Sequence, residues 1–529
     1  MQEVKSKSKI PKPTRLDRVV SSVFPGYGAK RYQAKVALAM AESYTGASKR
    51  RRSLSQWMAS SGDADSDILP DLPELRKRSR DLIRNNPLAC GAIKTKVTSI
   101  VGSGLTLQAR INRDILTISD EAADAWESAT EAEWLLFSES KDCDIERQSN
   151  FRELQALSLQ STLENGDCFV LTPSKKRQGN TYALKVQLVE ADRITNKDNA
   201  PDTDTLAGGI ERDSDGAVKK LHILKGHPGN LYSKNNEWDK VDFFGKKTGR
   251  RNVLHLYNKI RIGQTRGVPD LAPVMEPLKQ LGRFKEAYLD KAVISSFFTA
   301  FIKTETGEGL DLGDMYQETG GTRTDKDFKL GPGSILDIGI DEDVEFADPT
   351  APSNTFDPFV LAFAREIGVA LELPFELLIK HFTASYSAAQ AALLEAWRFF
   401  MNRRQWLIDN LCQPIYELWL TEAVASGRVS APGFLTDPLI RAAYLGADWV
   451  GPPRGHLDPV KQNKADGYAE DRGWKTGAQN TQERGGNWER NHRQRVKEVG
   501  ARKKDGIEYI FDEGHEENMP KNAAGGDEP

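Results

Sequence analysis

Residues 355–420 read TFDPFVLAFAREIGVALELPFELLIKHFTASYSAAQAALLEAWRFFMNRRQWLIDNLCQPIYELWL, and this stretch constrains the chain more than any other. It holds two strongly helical segments interrupted by the short block KHFTASYS. Asp357 reads as an N-cap with Pro358 at the first helical position, and apolar residues then recur at helical spacing through Val360, Phe363, Ala364, Ile367 and Leu371. Pro374 breaks that helix. A second helix is predicted from about Ser387, with Leu393, Trp397, Phe400, Met401, Leu407, Ile408 and Leu411 on one stripe, until Pro414 removes a backbone donor and bends or ends it. Between the two helices, Lys380, His381, Phe382, Thr383, Ser385, Tyr386 and Ser387 form a polar and aromatic loop with no helical stripe. The plainest reading is a helical hairpin with this block as its surface turn. The alternative is a loop that two rigid helices hold out for a purpose.

The chain has 529 residues, enough for about two to four domains, because single cores rarely grow beyond about 250–300 residues. A formal net charge of −3 excludes a global affinity for nucleic acid, so any DNA contact must be local. Four cysteines, Cys90, Cys143, Cys168 and Cys412, lie far apart without paired spacing, which suggests neither a disulfide framework nor a zinc knuckle and favours a reducing compartment. The basic N-terminus is followed by no apolar targeting run, and no stretch of about 18 apolar residues occurs. The expectation is a chain that is neither secreted nor membrane-spanning.

Residues 1–71 combine Lys and Arg clusters with Ser, Gly and Asp and read as a partly disordered basic arm with one helix near 30–43; its clusters are either a solvated tail or a contact for an acidic neighbour. A helical pattern then runs from Leu72 to Ile100, broken at Asn86-Pro87, and ends in the glycine turn VGSGL before a short strand, LTLQARI. Helices are predicted at 119–139 and from Asn150, where Glu153 completes a capping box, to Gly166. The runs DCFVL, YALKVQLVE, GGIER, AVKKLHIL and RNVLHLY read as strands, with Asp215-Gly216 as a hairpin turn. Residues 72–276 therefore read as an α+β domain. A long helix is expected over 277–303, followed by a polar, Gly-rich excursion and the strand-like ILDIGIDEDVEF, the whole spanning 304–355. The helix over 356–373, a loop over 374–387 and a long kinked helix over 388–426 come next. Beyond residue 427 tryptophans stand among charges, with helices expected at 459–472 and 480–497, and residues 506–529 form an acidic tail polar enough to be disordered.

Chemistry is hard to find. GPGSILDIG has no lysine, and GKKTG at 245–249 lacks the upstream glycine and following apolar helix of a phosphate loop. His222 and His227 make no HExxH, and a histidine beside an aliphatic run is usually structural, so no metal site or other cofactor is expected. Ser103 in VGSGL lacks the second glycine of a nucleophile elbow. The pairs Asp213 with Asp215 and Asp341 with Asp343 look like solvated turns. The expectation is a structural protein, not an enzyme.

Four segments carry a family resemblance: RNNPLACGAIKTKVTSIVGSGLTLQARI; HLYNKIRIGQTRGVPDLAPVMEPLKQLGRFKEAYLDKAVISSFFTAFIKTE; REIGVALELPFELLIKHFTASYSAAQAALLEAWR; and WVGPPRGHLDPVKQNKADGYAEDRG. In that order, over most of residues 70–500, they resemble the lambda-like portal proteins of tailed bacteriophages. The resemblance implies an α+β portal-type fold that assembles as a ring, usually of twelve copies, at one capsid vertex. There, the resemblance implies, it is the channel for double-stranded DNA and the start point of capsid assembly with major capsid and scaffold proteins. It implies a wing over 72–276, stem helices over 277–303 and 356–373, a clip over 304–355, a tunnel loop over 374–387, a kinked wing helix over 388–426 and a wing or crown region over 427–505. Stem residues would include Lys279, Arg283, Tyr288, Lys291, Arg365 and Glu366. Glu305, Glu308, Asp311, Arg323 and Lys326 in the clip would meet the terminase large subunit and later the head completion or connector proteins. Lys380, His381, Phe382, Thr383, Ser385 and Tyr386 would face DNA, with the two aromatics either brushing the duplex or packing on neighbouring subunits. Localisation would be the virion, and the host cytoplasm during assembly. A near-neutral chain suits a passive conduit, because a wall of Lys and Arg would hold phosphates through counterion release and impede sliding. The competing readings are another head structural or adaptor protein, and a packaging ATPase, which would need the phosphate loop that is missing here.

Overall fold

The computed structural model describes residues 14–41, 52–59, 61–232, 237–296, 300–304, 342–346, 356–381, 386–455 and 458–506. The chain divides into two compact units, Met1–Asp63 and Ala64–Pro529. In the first, α1 (Arg15–Val23) and α2 (Pro25–Ala41) stand where the sequence suggested one helix near 30–43. The extra helix starts at a short polar cap that hydropathy does not register: the Asp17 carboxylate accepts from the Thr14 N–H at 2.9 Å and lies 3.2 Å from the Arg31 guanidinium.

The second unit opens with α3 (Ala64–Ile68), α4 (Leu72–Asn85) and α5 (Pro87–Ile100). Asn86 separates the last two, its side chain accepting from the N–H groups of Leu88 and Ala89, while Pro87 takes a position that needs no donor. After β1 (Thr106–Ala109) come α6 (Arg113–Leu116), α7 (Asp120–Ser138) and α8 (Phe151–Asn165), the last with the expected capping box between Asn150 and Glu153 and Gly166 beyond its end. Seven strands follow: β2 (Asp167–Leu171), β3 (Gln187–Val189), β4 (Leu206–Ala207), β5 (Ile210–Arg212), β6 (Val218–Leu224), β7 (Trp238–Asp242) and β8 (Val253–Tyr257). They form an antiparallel sheet in the order β3-β2-β8 and a second in the order β4-β5-β6-β7. Asp213 caps the turn between β5 and β6, accepting from the N–H groups of Asp215 and Ala217, so that carboxylate serves backbone geometry.

Helix α9 (Met275–Ser296) is shorter than the predicted helix over 277–303, because residues 300–304 form a strand instead. That strand, β9 (Ala300–Thr304), pairs antiparallel with β10 (Glu342–Phe346), setting Thr304 opposite Glu342 and Ala300 opposite Phe346. Ile302 and Val344 are register partners in this ladder, a backbone pairing that helical periodicity cannot reveal. Next come α10 (Phe356–Ala370), α11 (Phe375–Ile379) and α12 (Tyr386–Leu407), then a π-helical turn over Ile408–Cys412 and α13 (Gln413–Ala425). Pro414 therefore neither ends the helix nor stands alone as a break; its missing N–H is absorbed by the wider turn just before it. The chain continues through α14 (Pro438–Tyr444), β11 (Ala447–Val450), α15 (Pro459–Asp471), α16 (Gly477–Glu483) and α17 (Trp488–Asp505). The helix expected over 480–497 is thus two, divided where Gly485 adopts a φ of 78°.

One hydrophobic core joins distant parts of this unit. Trp134 of α7 lies at its centre, with ring centroids 5.4 Å from Phe151, 5.8 Å from Tyr416, 5.2 Å from Trp419 and 5.9 Å from Trp449, all edge-on. Strand β11 reaches this core by pairing with β1, Thr106 opposite Val450. Strand β2 is covered on both faces, Cys168 and Val170 entering the large core and Phe169 a smaller one with Leu221, Ile223 and Phe243, which is why DCFVL is apolar without alternation.

Candidate functional site

The two helices that flank the 305–341 excursion begin and end differently. On α9, Leu278 and Leu281 are buried in the core, whereas Leu289 is 64% and Val293 48% exposed. On α10 the gradient runs the other way: Phe359 is 41% exposed, and Ala364 and Ile367 are buried. Both helices therefore leave the core at the end nearer the excursion. Outside it they hold one another by aromatic contact, Phe284 lying 5.6 Å from Phe356 and 4.4 Å from Phe359, and Tyr288 lying 4.2 Å from Phe356. The β9–β10 ladder ties the two sides of the excursion together.

The linker before α9 is clamped by charge. Asp167, at the start of β2, accepts from Arg266 Nε at 2.6 Å and Nη2 at 3.1 Å and from Arg76 Nη2 at 3.0 Å, with all three side chains buried. Burial alone would push this carboxyl up, but the guanidiniums of Arg266 and Arg76 override it and hold it well below the usual carboxylate range. Burial brings Arg76 down to about 10. His255, stacked 4.2 Å from Phe169 with its side chain only 8% exposed, is likewise pushed down by burial, against the pull of Asp167. Arg266 also donates to the carbonyls of Ile194, Gly208 and Ala191, so one side chain fixes the linker to two sheets. Beside it, a Cβ on Gly267 would lie 1.9 Å from the Gly166 carbonyl oxygen, which only glycine permits. This network went unread in the sequence. Its one signal is Asp167 in an otherwise apolar strand, a charge that must find partners if buried.

At the other end of α10, Gly368 approaches so closely that a Cβ would sit 2.7 Å from the Leu373 carbonyl oxygen. Glu372, with φ of 54°, turns the chain into α11, and Lys380, with φ of 55°, ends it in the left-handed conformation. Lys380 and His381 are exposed. Phe382, Thr383 and Ser385 lie outside the described residues. Tyr386 opens α12 and so belongs to the helix rather than the loop, as does Ser387. Of the stem residues, Lys279, Arg283, Lys291, Arg365 and Glu366 are exposed and Tyr288 is half-buried; Arg365 lies over the Phe375 ring at 5.2 Å. Glu305, Glu308, Asp311, Arg323 and Lys326 lie outside the described residues, as do residues 507–529.

His222 is buried, 2.6 Å from Glu211, and its Nδ1 accepts from the Lys197 N–H, a satisfied structural residue. His227 shares a surface cluster with Glu190 and Asp192, but Arg80 already pairs with both carboxylates, at 3.0 and 2.5 Å. Among the described residues, no helix is long and apolar enough to cross a membrane.

Residues 50–404 match the family model described as phage portal protein, lambda family. The chain is 26% identical to portal protein B of Escherichia phage lambda, over 86% of this chain and 88% of that one. It is 25% identical to the portal protein of Escherichia phage N15, over 85% and 88%. A chain of the neck of a native gene transfer agent particle is 15% identical with a TM-score of 0.42, over 77% of this chain and 91% of the other.

Proposed function

Because the chain belongs to the lambda family of phage portal proteins, we propose that it forms a ring at one capsid vertex and serves as the channel through which double-stranded DNA is packaged and ejected. The observation that carries this reading is the family match over 50–404, which contains α9, α10, α11 and most of α12. Within it, α9 and α10 leave the core together, as the stem of a ring subunit must.

In this reading α9 and α10 are the stem, the excursion between them is the clip, where the terminase large subunit and then the head completion proteins dock, and Lys380 to Ser385 form the loop that meets DNA. A ring of about twelve copies is the expected assembly, started together with major capsid and scaffold proteins. The charges of α9 suit passage rather than grip: Lys279, Arg283, Lys285 and Lys291 share the helix with Glu276, Glu286 and Asp290, so its cations are nearly balanced by acids. The role is structural and located in the virion.

Electron microscopy of the purified protein tests the assembly: rings with a central hole support it, and monomers or shells count against it. ATP hydrolysis by the isolated protein would sink the non-catalytic reading. Replacing residues 381–385 by a Gly-Ser linker, which leaves the start of α12 in place, is expected to leave rings intact while lowering packaging or retention of DNA. Normal packaging in that variant removes the loop from the mechanism.

A further inference from the structure

Helix α17 presents a row of cations to solvent. It spans Trp488–Asp505 and buries none of its residues. Its attachment is at the N-terminal end, where Glu489 accepts from Arg110 at 2.9 Å and Trp488 stands against Gly477 of α16. At helical spacing, Arg490, Arg493, Lys497 and Lys504 share one face, with separations of three, four and seven residues. The face is about 21 Å long at 1.5 Å per residue.

Three observations single this stripe out. In the neighbouring segment three of the five cations pair with carboxylates, Arg484 with Asp466 at 2.7 Å, Lys475 with Glu483 at 2.6 Å and Lys461 with Asp458 at 3.5 Å, and Arg472 lies over the Trp474 ring. Among the described residues, no carboxylate lies within 4 Å of the four stripe cations. Second, two of the three acids of α17 are directed elsewhere, Glu489 to Arg110 and Glu498 to the Gln494 amide at 3.0 Å, while the third, Asp505, closes the helix. Third, the helix dipole favours cations in the last turn, which accounts for Arg502, Lys503 and Lys504 but runs against Arg490 in the first. Arg490 with Arg493, and Arg493 with Lys497, are like-charge neighbours at spacings that destabilise a helix on its own. Local helix energetics therefore accounts for Lys504 but not for Arg490, Arg493 and Lys497, and a polyanion laid along the face would relieve their repulsion.

We propose that the Arg490–Arg493–Lys497–Lys504 face of α17 is a sequence-independent docking surface for the phosphate backbone of double-stranded DNA, distinct from the channel loop. It rests on the portal reading only for bringing DNA close to the protein. The cations contact phosphates as point charges without reading bases, so binding must fall steeply with salt.

The test is fluorescence anisotropy with a short mixed-sequence DNA duplex, on the full chain, at salt concentrations between about 50 and 200 mM. In R490Q/R493Q/K497Q/K504Q, affinity at the low-salt end is expected to fall about tenfold or more, and the slope of log K against log salt to drop by about 3–4. The control K175Q/K176Q/K246Q/K247Q removes the same charge from exposed lysines elsewhere and is expected to change both far less. Unchanged binding in the α17 variant overturns the proposal, as does an equal loss in the control, which would reduce the effect to net charge. Loss of rings in the α17 variant with DNA affinity intact also overturns it and makes the face a seat for a second copy. Absence of rings in the parent protein, with the α17 dependence retained, would sink the portal reading and leave this one standing.

Discussion

The region around Trp134 and Asp167 and the region formed by the outer halves of α9 and α10 are built on opposite terms. In the first, aromatic rings from α7, α8, α13 and β11 meet edge-on, and a buried carboxylate is held by two guanidiniums. In the second, large apolar side chains such as Leu289 and Val293 stand exposed, and the contacts that hold the helices together are a few aromatic pairs. The first region is complete within one chain. The second is rigid enough to project but leaves apolar surface uncovered, as expected of a subunit whose neighbours complete it.

Asp167→Asn breaks this comparison hardest. It leaves Arg266 buried without its counter-charge and Arg76 with only Asp192, at 3.5 Å, and a loss of about 3–5 kcal/mol is expected in denaturant unfolding. An unchanged midpoint would show that the guanidiniums are satisfied by backbone carbonyls alone. The same group fixes the pH dependence. Its folded pKa is depressed, so its stabilisation is fully present above the unfolded value of about 3.9 and is lost as pH falls below that. Asp167 therefore contributes no slope between pH 7 and about 5, and acid unfolding that begins above pH 5 would point to other carboxyls.

Gly267→Ala is expected to cost less, about 1–3 kcal/mol, because the linker must move to relieve the approach of its new Cβ to the Gly166 carbonyl. Preserved stability in thermal melts would mean that the Arg266 clamp tolerates the shift. The smallest effect on the isolated chain is expected for Leu289→Ala, within about 0.5 kcal/mol, since the side chain is already exposed. If the exposed half of α9 is covered by a neighbouring copy, this variant weakens the ring in sedimentation. A large loss of stability in the unassembled chain would instead mean that Leu289 has a partner within its own subunit.

Much of the local fold was legible. The Asn86-Pro87 break, the Asn150–Glu153 capping box, the stop at Gly166, the Asp213 turn and the paired helices around KHFTASYS each rest on groups a few residues apart, and each stands in the structure. Strand β7, reading WDKVD, went unread because it is half-exposed and its charges mask the alternation. Within YALKVQLVE only Gln187–Val189 forms a strand. For the candidate site, helix boundaries moved Tyr386 and Ser387 out of the loop, a shift that depends on where backbone hydrogen bonds begin.

By itself, then, the sequence determined that most of these helices exist, where the locally capped ones start and stop, and that a short polar block interrupts helices in the last third of a chain with almost no net charge. Tertiary structure alone decided that β1 pairs with a strand 344 residues away, that Trp134 gathers rings from both halves of the unit, and that Asp167 is neutralised by Arg76 and Arg266. The reason is physical. Caps and turns are closed by neighbouring residues, so their chemistry is written at a fixed short spacing. Buried charges and core rings are satisfied by whatever the folded chain brings within a few ångströms, and sequence separation places no mark on that choice.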